Sequence, residues 1–176
     1  ERGEKGFCKA GLELTVSSSH VHFGEEPPIS GCRGSGSVFL TYCNLRCVFC
    51  QNYPISHLGN GNEISSLAFS RMILDLQEKG CHNLNLVSPT VFVPQILAGL
   101  LLAIQGGLKI PLVYNCSGYE KVETLQLLEG IIDIYMPDMK YGRREEGKKY
   151  SSAPDYFEVT KKAVREMYRQ VGDLRL

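Results

Sequence analysis

The residues best equipped for chemistry lie within one short stretch, Cys43-Asn44-Leu45-Arg46-Cys47-Val48-Phe49-Cys50, with thiols at positions i, i+4 and i+7. On a compact loop, cysteines at that spacing can turn inward on a common centre. Thiolates are soft ligands that select zinc, copper(I) or iron–sulfur clusters. A structural zinc site is normally closed by four protein ligands, often supplied as two close pairs. Three ligands leave one position open to another molecule.

The elements that must position these thiols follow from the pattern around them. Ser37–Tyr42 is an apolar run that reads as a strand ending at the first cysteine. Further strands are predicted over Asn83–Val87, Lys109–Tyr114 and Ile131–Met136. A helix that Ser65 or Ser66 can cap runs to Gly80, with Phe69, Met72, Ile73 and Leu76 on one stripe. Helices are also predicted over Pro94–Gln105 and Lys121–Leu128, and a last one after Asp155 with Phe157, Val164, Met167 and Val171 on its buried side. Four strand–helix units of this kind imply right-handed crossovers and a parallel sheet. Ligands of parallel α/β folds collect at the carboxyl ends of the strands. The residues there are Cys43, Cys47 and Cys50, then Ser88, Pro89 and Thr90, then Asn115, Cys116 and Ser117, then Asp138 and Lys140. Cys116 reads as a buried small hydrophobe.

Elsewhere the pattern is plainer. Residues 1–36 read as an irregular lead-in entered midway, with Leu12–Val16 as a short strand, and residues 37–176 as the core. Pro27-Pro28 is expected to interrupt regular structure. His20 and His22 share one face of an extended segment, and Cys32 is expected to pack. Ser56–Ile64 reads as a polar connection, and the mixed charges of Lys140–Lys149 as a solvated loop. Ending after the fourth unit, the sheet would leave a strand edge exposed; Gly172-Asp173-Leu174 would lead to a fifth strand and the chain would be a fragment.

The 176 residues are 43% hydrophobic and 22% charged, with zero formal net charge, as expected of one globular domain. No basic block alternates with aromatics, which argues against a nucleic-acid partner. The longest apolar run, Val91–Ile104, is interrupted and too short to span a membrane. Seven cysteines without a signal-peptide pattern favour a reducing compartment and metal ligation over disulfides, hence a cytoplasmic protein.

The CxxxCxxC spacing, with aromatic Phe49 before its last cysteine, resembles the signature of the radical S-adenosylmethionine superfamily. Gly24–Gly31, Cys50–Tyr53, Leu84–Thr90 and Pro137–Lys140 resemble the branch related to pyruvate formate-lyase activating enzyme. The resemblance implies an incomplete (β/α)₆ partial TIM-type barrel and an oxidoreductase that cleaves S-adenosyl-L-methionine reductively on a [4Fe-4S] cluster. Cys43, Cys47 and Cys50 would ligate the cluster. Phe49, Ser88, Thr90, Asn115, Ser117 and Asp138 would hold S-adenosyl-L-methionine, and Asn52, Tyr53, Lys140 and Cys116 would line a substrate cleft. At Ser88-Pro89-Thr90 the sequence departs from the family's Gly-Gly-Glu-Pro element, which leaves the ammonium of that cofactor without a carboxylate. Implied partners are a glycyl-radical enzyme or another protein substrate, and an electron donor such as flavodoxin or ferredoxin. Alternatives are modification of a different protein or a small molecule, or a non-enzymatic iron–sulfur or zinc protein.

Overall fold

In the computed structural model the described residues are 5–173. Six strands form one sheet: β1 (Leu14–His22), β2 (Ser35–Leu40), β3 (Asn62–Ile64), β4 (Leu84–Val87), β5 (Leu112–Cys116) and β6 (Ile134–Pro137), in the order β3-β1-β2-β4-β5-β6. The pairs β2–β4, β4–β5 and β5–β6 are parallel, and β1 is antiparallel to both β2 and β3. The class is α/β, as expected, and the four expected parallel strands are present. The sheet as a whole is mixed.

Register divides the sheet into two faces. Val38, Leu86 and Tyr114 are paired neighbours, and so are Leu84 and Leu112. All five belong to the main apolar core with Phe69, Ile73 and Leu76 of α3 (Ser66–Glu78) and Ile96 and Leu100 of α4 (Val93–Gln105). Alternation sends the intervening residues to the opposite face, where Ser37, Asn85, Val113 and Ile134 form one row. Phe39, Val87, Asn115 and Met136 form the next. The helices cover the first face because only that face offers a continuous apolar surface. Burial of such side chains contributes roughly 1.5–3 kcal/mol each.

The α3 cap is as expected, with Ser65 Oγ accepting from the N–H of Ala68 at 3.2 Å. A short α5 (Val122–Gln126) and a long α7 (Tyr156–Val171) pack on each other beside β6. Asp155 occupies the N-cap of α7, yet its carboxylate accepts from the Tyr119 hydroxyl at 2.7 Å and caps nothing.

Several expectations are corrected. Residues 5–36 are not irregular throughout: the short strand expected over Leu12–Val16 overlaps the longer β1, and a helical turn follows, α1 (Pro27–Ser30), in which proline occupies the first turn, where its missing N–H costs no helical bond. The 56–64 connection contains β3, and α2 (Tyr53–Ser56) precedes it. The charged 140–149 stretch contains most of α6 (Arg144–Ser151), with acidic residues in its first turn and basic ones in its last, the arrangement a helix dipole favours. Cys32 is exposed and sits beside His82. His20 and His22 do share a face, and both pack against Phe39. Leu174 and Leu176 lie outside the described residues, as does the start of the lead-in. Among the described residues no helix is long and apolar enough to cross a membrane.

Candidate functional site

The carboxyl ends of β2, β4, β5 and β6 open on one cleft of about 390 Å³. Cys43, Cys47, Phe49, Cys50 and Asn52 line it from the loop after β2, Ser88 from β4, Asn115, Cys116 and Ser117 from β5, and Asp138 and Lys140 from the segment after β6. Of the strand-end and cleft residues singled out from the sequence, Pro89, Thr90 and Tyr53 lie off this lining. Thr90 points to Glu120, and Tyr53 stacks on His57 with centroids 4.6 Å apart.

Backbone geometry at the strand ends aims these side chains. Tyr42 and Ser88, directly after β2 and β4, have φ of 63° and 60°. Positive φ is uncommon outside glycine and is held only where surrounding contacts over-determine it. Here the Tyr42 N–H donates to the Ile55 carbonyl at 3.0 Å and the Ser88 N–H to that of Asn115 at 2.9 Å. Gly118 turns the chain after β5 at φ 72°, and a Cβ there would lie 2.5 Å from the Asp138 carbonyl oxygen. Only glycine lets the β5 and β6 loops approach so closely.

A second set of contacts fixes the cysteine loop. The N–H groups of Arg46 and Val48 donate to the carbonyls of Ser151 (3.2 Å) and Tyr150 (2.9 Å) at the end of α6. The Asn44 amide donates to the Tyr119 carbonyl at 2.6 Å. Arg46, between the first two cysteines, is used structurally: it donates to the carbonyls of Ser56 (3.3 Å) and Phe7 (2.8 Å) and lies over the Phe7 ring. Across the cleft, the Tyr156 hydroxyl lies 2.7 Å from the Ser117 carbonyl and 2.8 Å from that of Asp138, and accepts from the Lys140 N–H at 3.0 Å. One phenol thus ties the two strand-end loops together.

Each thiol of the triad has its own partner. Cys43 Sγ accepts from the Leu45 N–H at 3.4 Å. Cys47 Sγ accepts from the Ser151 hydroxyl at 2.8 Å, and Cys50 Sγ lies 3.1 Å from the Ser56 hydroxyl. Burial pushes the Cys43 thiol up to about 11, outweighing the Leu45 N–H that favours its thiolate. It is therefore a neutral thiol near pH 7. Among the described residues, no group of three or more His, Cys, Asp or Glu side chains is placed to hold a metal ion. The three cysteines share a cleft without forming a ligand set. This overturns the radical S-adenosylmethionine resemblance and its activating-enzyme branch. With it go the [4Fe-4S] cluster, bound S-adenosyl-L-methionine, the oxidoreductase activity, and the iron–sulfur and zinc alternatives.

Sequence reasoning passed over Glu120, which is 2% exposed behind Cys116. Its carboxylate accepts from the Thr90 hydroxyl at 2.5 Å and from the Tyr114 hydroxyl at 3.4 Å. Burial raises it to about 7, against the lowering effect of these hydrogen bonds. Cys116 is also buried, as expected, and burial together with Glu120 holds its thiol well above the ordinary range. The sequence offered one signal, a carboxylate two residues after a turn glycine at a strand end. Nothing in the spacing said that it would turn inward. Asp138 and Lys140 form an ion pair at the cleft mouth.

No family model matches the chain. Over 167 residues it is 32% identical to Uncharacterized protein MJ0674 of Methanocaldococcus jannaschii, an alignment covering 90% of this chain and 47% of that protein. The chain therefore spans about half the length of the curated relative it matches. The relative's name states no activity, so it lends no support to the chemistry the cysteine spacing suggests.

Proposed function

We propose that the cleft at the carboxyl ends of β2, β4, β5 and β6 binds a small polar molecule. The observation that carries this reading is convergence. Polar side chains from four strand ends, distant in sequence, line one hollow with the cysteine loop as its wall. Ser88, Asn115 and Ser117 supply neutral donors and acceptors, and Asp138 and Lys140 supply one charge of each sign. Phe49, 55% exposed, offers a flat apolar surface. Small-ligand sites in α/β proteins are commonly built this way, with a few convergent polar groups fixing orientation. The four parallel strands with helices on one face fit an incomplete (β/α)₆ arc, which would make this the cleft at its mouth. Zero net charge and reduced thiols support a cytoplasmic setting without a nucleic-acid partner. A glycyl-radical enzyme and an electron donor are implied only through the cluster chemistry and stand apart from this reading.

Ligand-observed NMR with a panel of nucleosides, amino acids and nucleotides tests the proposal. At least one probe should show saturation transfer that Asn115→Ala together with Ser117→Ala abolishes while the thermal unfolding midpoint stays in place. Equal transfer to the wild type and this variant, or none from the whole panel, would count against it.

A further inference from the structure

Cys47-Val48-Phe49-Cys50 is a closed turn, in which the Cys50 N–H donates to the Cys47 carbonyl at 3.2 Å. A four-residue turn holds its two outer Cα atoms within about 7 Å of each other. Disulfides span about 4.4–6.8 Å between Cα atoms. The backbone thus already sets these two cysteines at a separation that a disulfide can bridge once the side chains rotate. Among the described residues no backbone bond ties Cys43 to either of them, and its Sγ accepts from the Leu45 N–H.

The surroundings of the pair suit a bond that opens and closes. Cys50 is half-buried and Cys47 only 7% exposed, and both line the cleft. A molecule entering from solvent therefore reaches Cys50 sooner than Cys47. The hydroxyls beside the two sulfurs each have another partner. Ser151, which donates to Cys47 Sγ, also lies 2.6 Å from the Tyr141 hydroxyl. Ser56, 3.1 Å from Cys50 Sγ, also lies 2.8 Å from His57 Nδ1. Both serines are buried, where a polar group left without a partner is costly. When the sulfurs turn to each other, neither hydroxyl is orphaned. Val48 and Phe49, between the cysteines, are 71% and 55% exposed, so adjusting the turn displaces no part of the core.

We infer that Cys47 and Cys50 are a dithiol site that exchanges with small dialkyl disulfides and closes to an intramolecular disulfide. The Cys50 thiolate attacks one sulfur of the incoming disulfide, RSSR. A bond forms between Cys50 Sγ and that sulfur, the original S–S bond breaks, and RS⁻ leaves. The Cys47 thiolate then attacks Cys50 Sγ, forming the protein disulfide and expelling the second RS⁻. The protons of the two cysteine thiols end on the two RSH products; the protein gives up two electrons and RSSR accepts them. Excess RSH runs the same steps in reverse. The inference does not depend on which molecule the cleft binds.

The test treats the reduced, folded protein without oxygen with bis(2-hydroxyethyl) disulfide, stops the reaction with N-ethylmaleimide, and maps every cysteine by mass spectrometry of unreduced tryptic peptides. Trypsin cuts after Arg46, so a Cys47–Cys50 bond stays within one peptide, whereas a bond to Cys43 links two. The expected wild-type result is a peptide beginning at Cys47 that carries the internal bond and no adduct. The exposed Cys32, whose partner is His82 and not a thiol, should stop at the mixed disulfide and show that the reagent has reacted. Cys47→Ser should hold the 2-hydroxyethylthio adduct on Cys50, and Cys50→Ser should lose the bond. Excess 2-mercaptoethanol should restore both thiols in the wild type. The inference is overturned if the wild type keeps the adduct on Cys50 with no bond to Cys47, if Cys43 takes a place in the bond, or if Cys50 stays free while Cys32 is converted. All three outcomes are read on the wild type, whether or not the variants fold.

Discussion

Within β4, successive residues meet opposite environments. Leu84 and Leu86 enter the apolar layer under α3 and α4, while Asn85 between them points to the other face, where Ser37 and Glu25 are its neighbours. The helical face is continuous and dry, and its energy comes from apolar area removed from water. The opposite face and the strand ends are buried yet polar, with the orphaned oxygens of Ser37 and Asn85 (two more, of Gln95 and Thr160, lie on α4 and α7), a carboxyl held near neutrality and residues at positive φ. Such features reduce stability and persist where the surrounding structure fixes them. Stability in this molecule thus resides on one side of the sheet, and capacity for recognition along its carboxyl edge.

That contrast breaks down, or sharpens, in a series of substitutions. The largest loss is expected from Leu86→Ala on the dry face, about 2–5 kcal/mol by denaturant unfolding, because a fully buried leucine leaves a cavity that the packed helices cannot fill. Glu120 comes next, through pH. Its carboxyl lies at about 7 in the folded protein against an ordinary 4.5, so between those values the folded protein retains a proton that the unfolded chain has released. The stability associated with the neutral carboxyl is complete below about 4.5 and is lost as pH rises through about 7. The total is on the order of 3 kcal/mol. Glu120→Gln should remove that decline from a series of unfolding curves between pH 4.5 and 8.

Tyr156→Phe should cost about 1–3 kcal/mol, because it deprives the Ser117 and Asp138 carbonyls of a donor and the Lys140 N–H of its acceptor. Loosened strand-end loops should also weaken any ligand of the cleft, which a change on the helical face would not do. The smallest effect is expected at Ser37→Ala. Removing a buried hydroxyl without a partner should be neutral or mildly stabilising. A loss above about 1 kcal/mol would mean that Ser37 is satisfied in solution and that the two faces differ less than proposed.

The dry face was legible in the sequence because its signal is apolar periodicity. Phe69, Ile73 and Leu76 marked α3, and the short apolar runs marked β2, β4, β5 and β6 to within a few residues. The polar face left no such mark. Past Val16, β1 continues through Ser17-Ser18-Ser19-His20, and it holds as a strand because from Ser18 to His22 it pairs with β2. α6 lacks an apolar stripe; it is fixed by close packing of Gly147 on the Ala153 carbonyl and by the cysteine loop bonded to its end. At the site, strand-end logic brought Ser88, Asn115, Cys116, Ser117, Asp138 and Lys140 to one cleft. Spacing could not say what each thiol would bond to. Ser151, Ser56 and the Leu45 N–H take one each, Ser151 lying 104 residues after Cys47 in the sequence, and the inferred metal centre rested on that unseen choice. Glu120 was missed for a related reason, since a carboxylate turned inward reads in sequence like one turned to water.

The central claim, that the carboxyl-end cleft binds a small polar molecule, is most directly tested by amide chemical-shift mapping of the whole protein with the strongest binder from the nucleoside, amino acid and nucleotide panel. The account predicts saturable shifts clustered at Phe49, Ser88, Asn115, Ser117 and Asp138, with the α3–α4 layer silent. Shifts confined to that helical layer, or scattered over the surface without saturation, would contradict it.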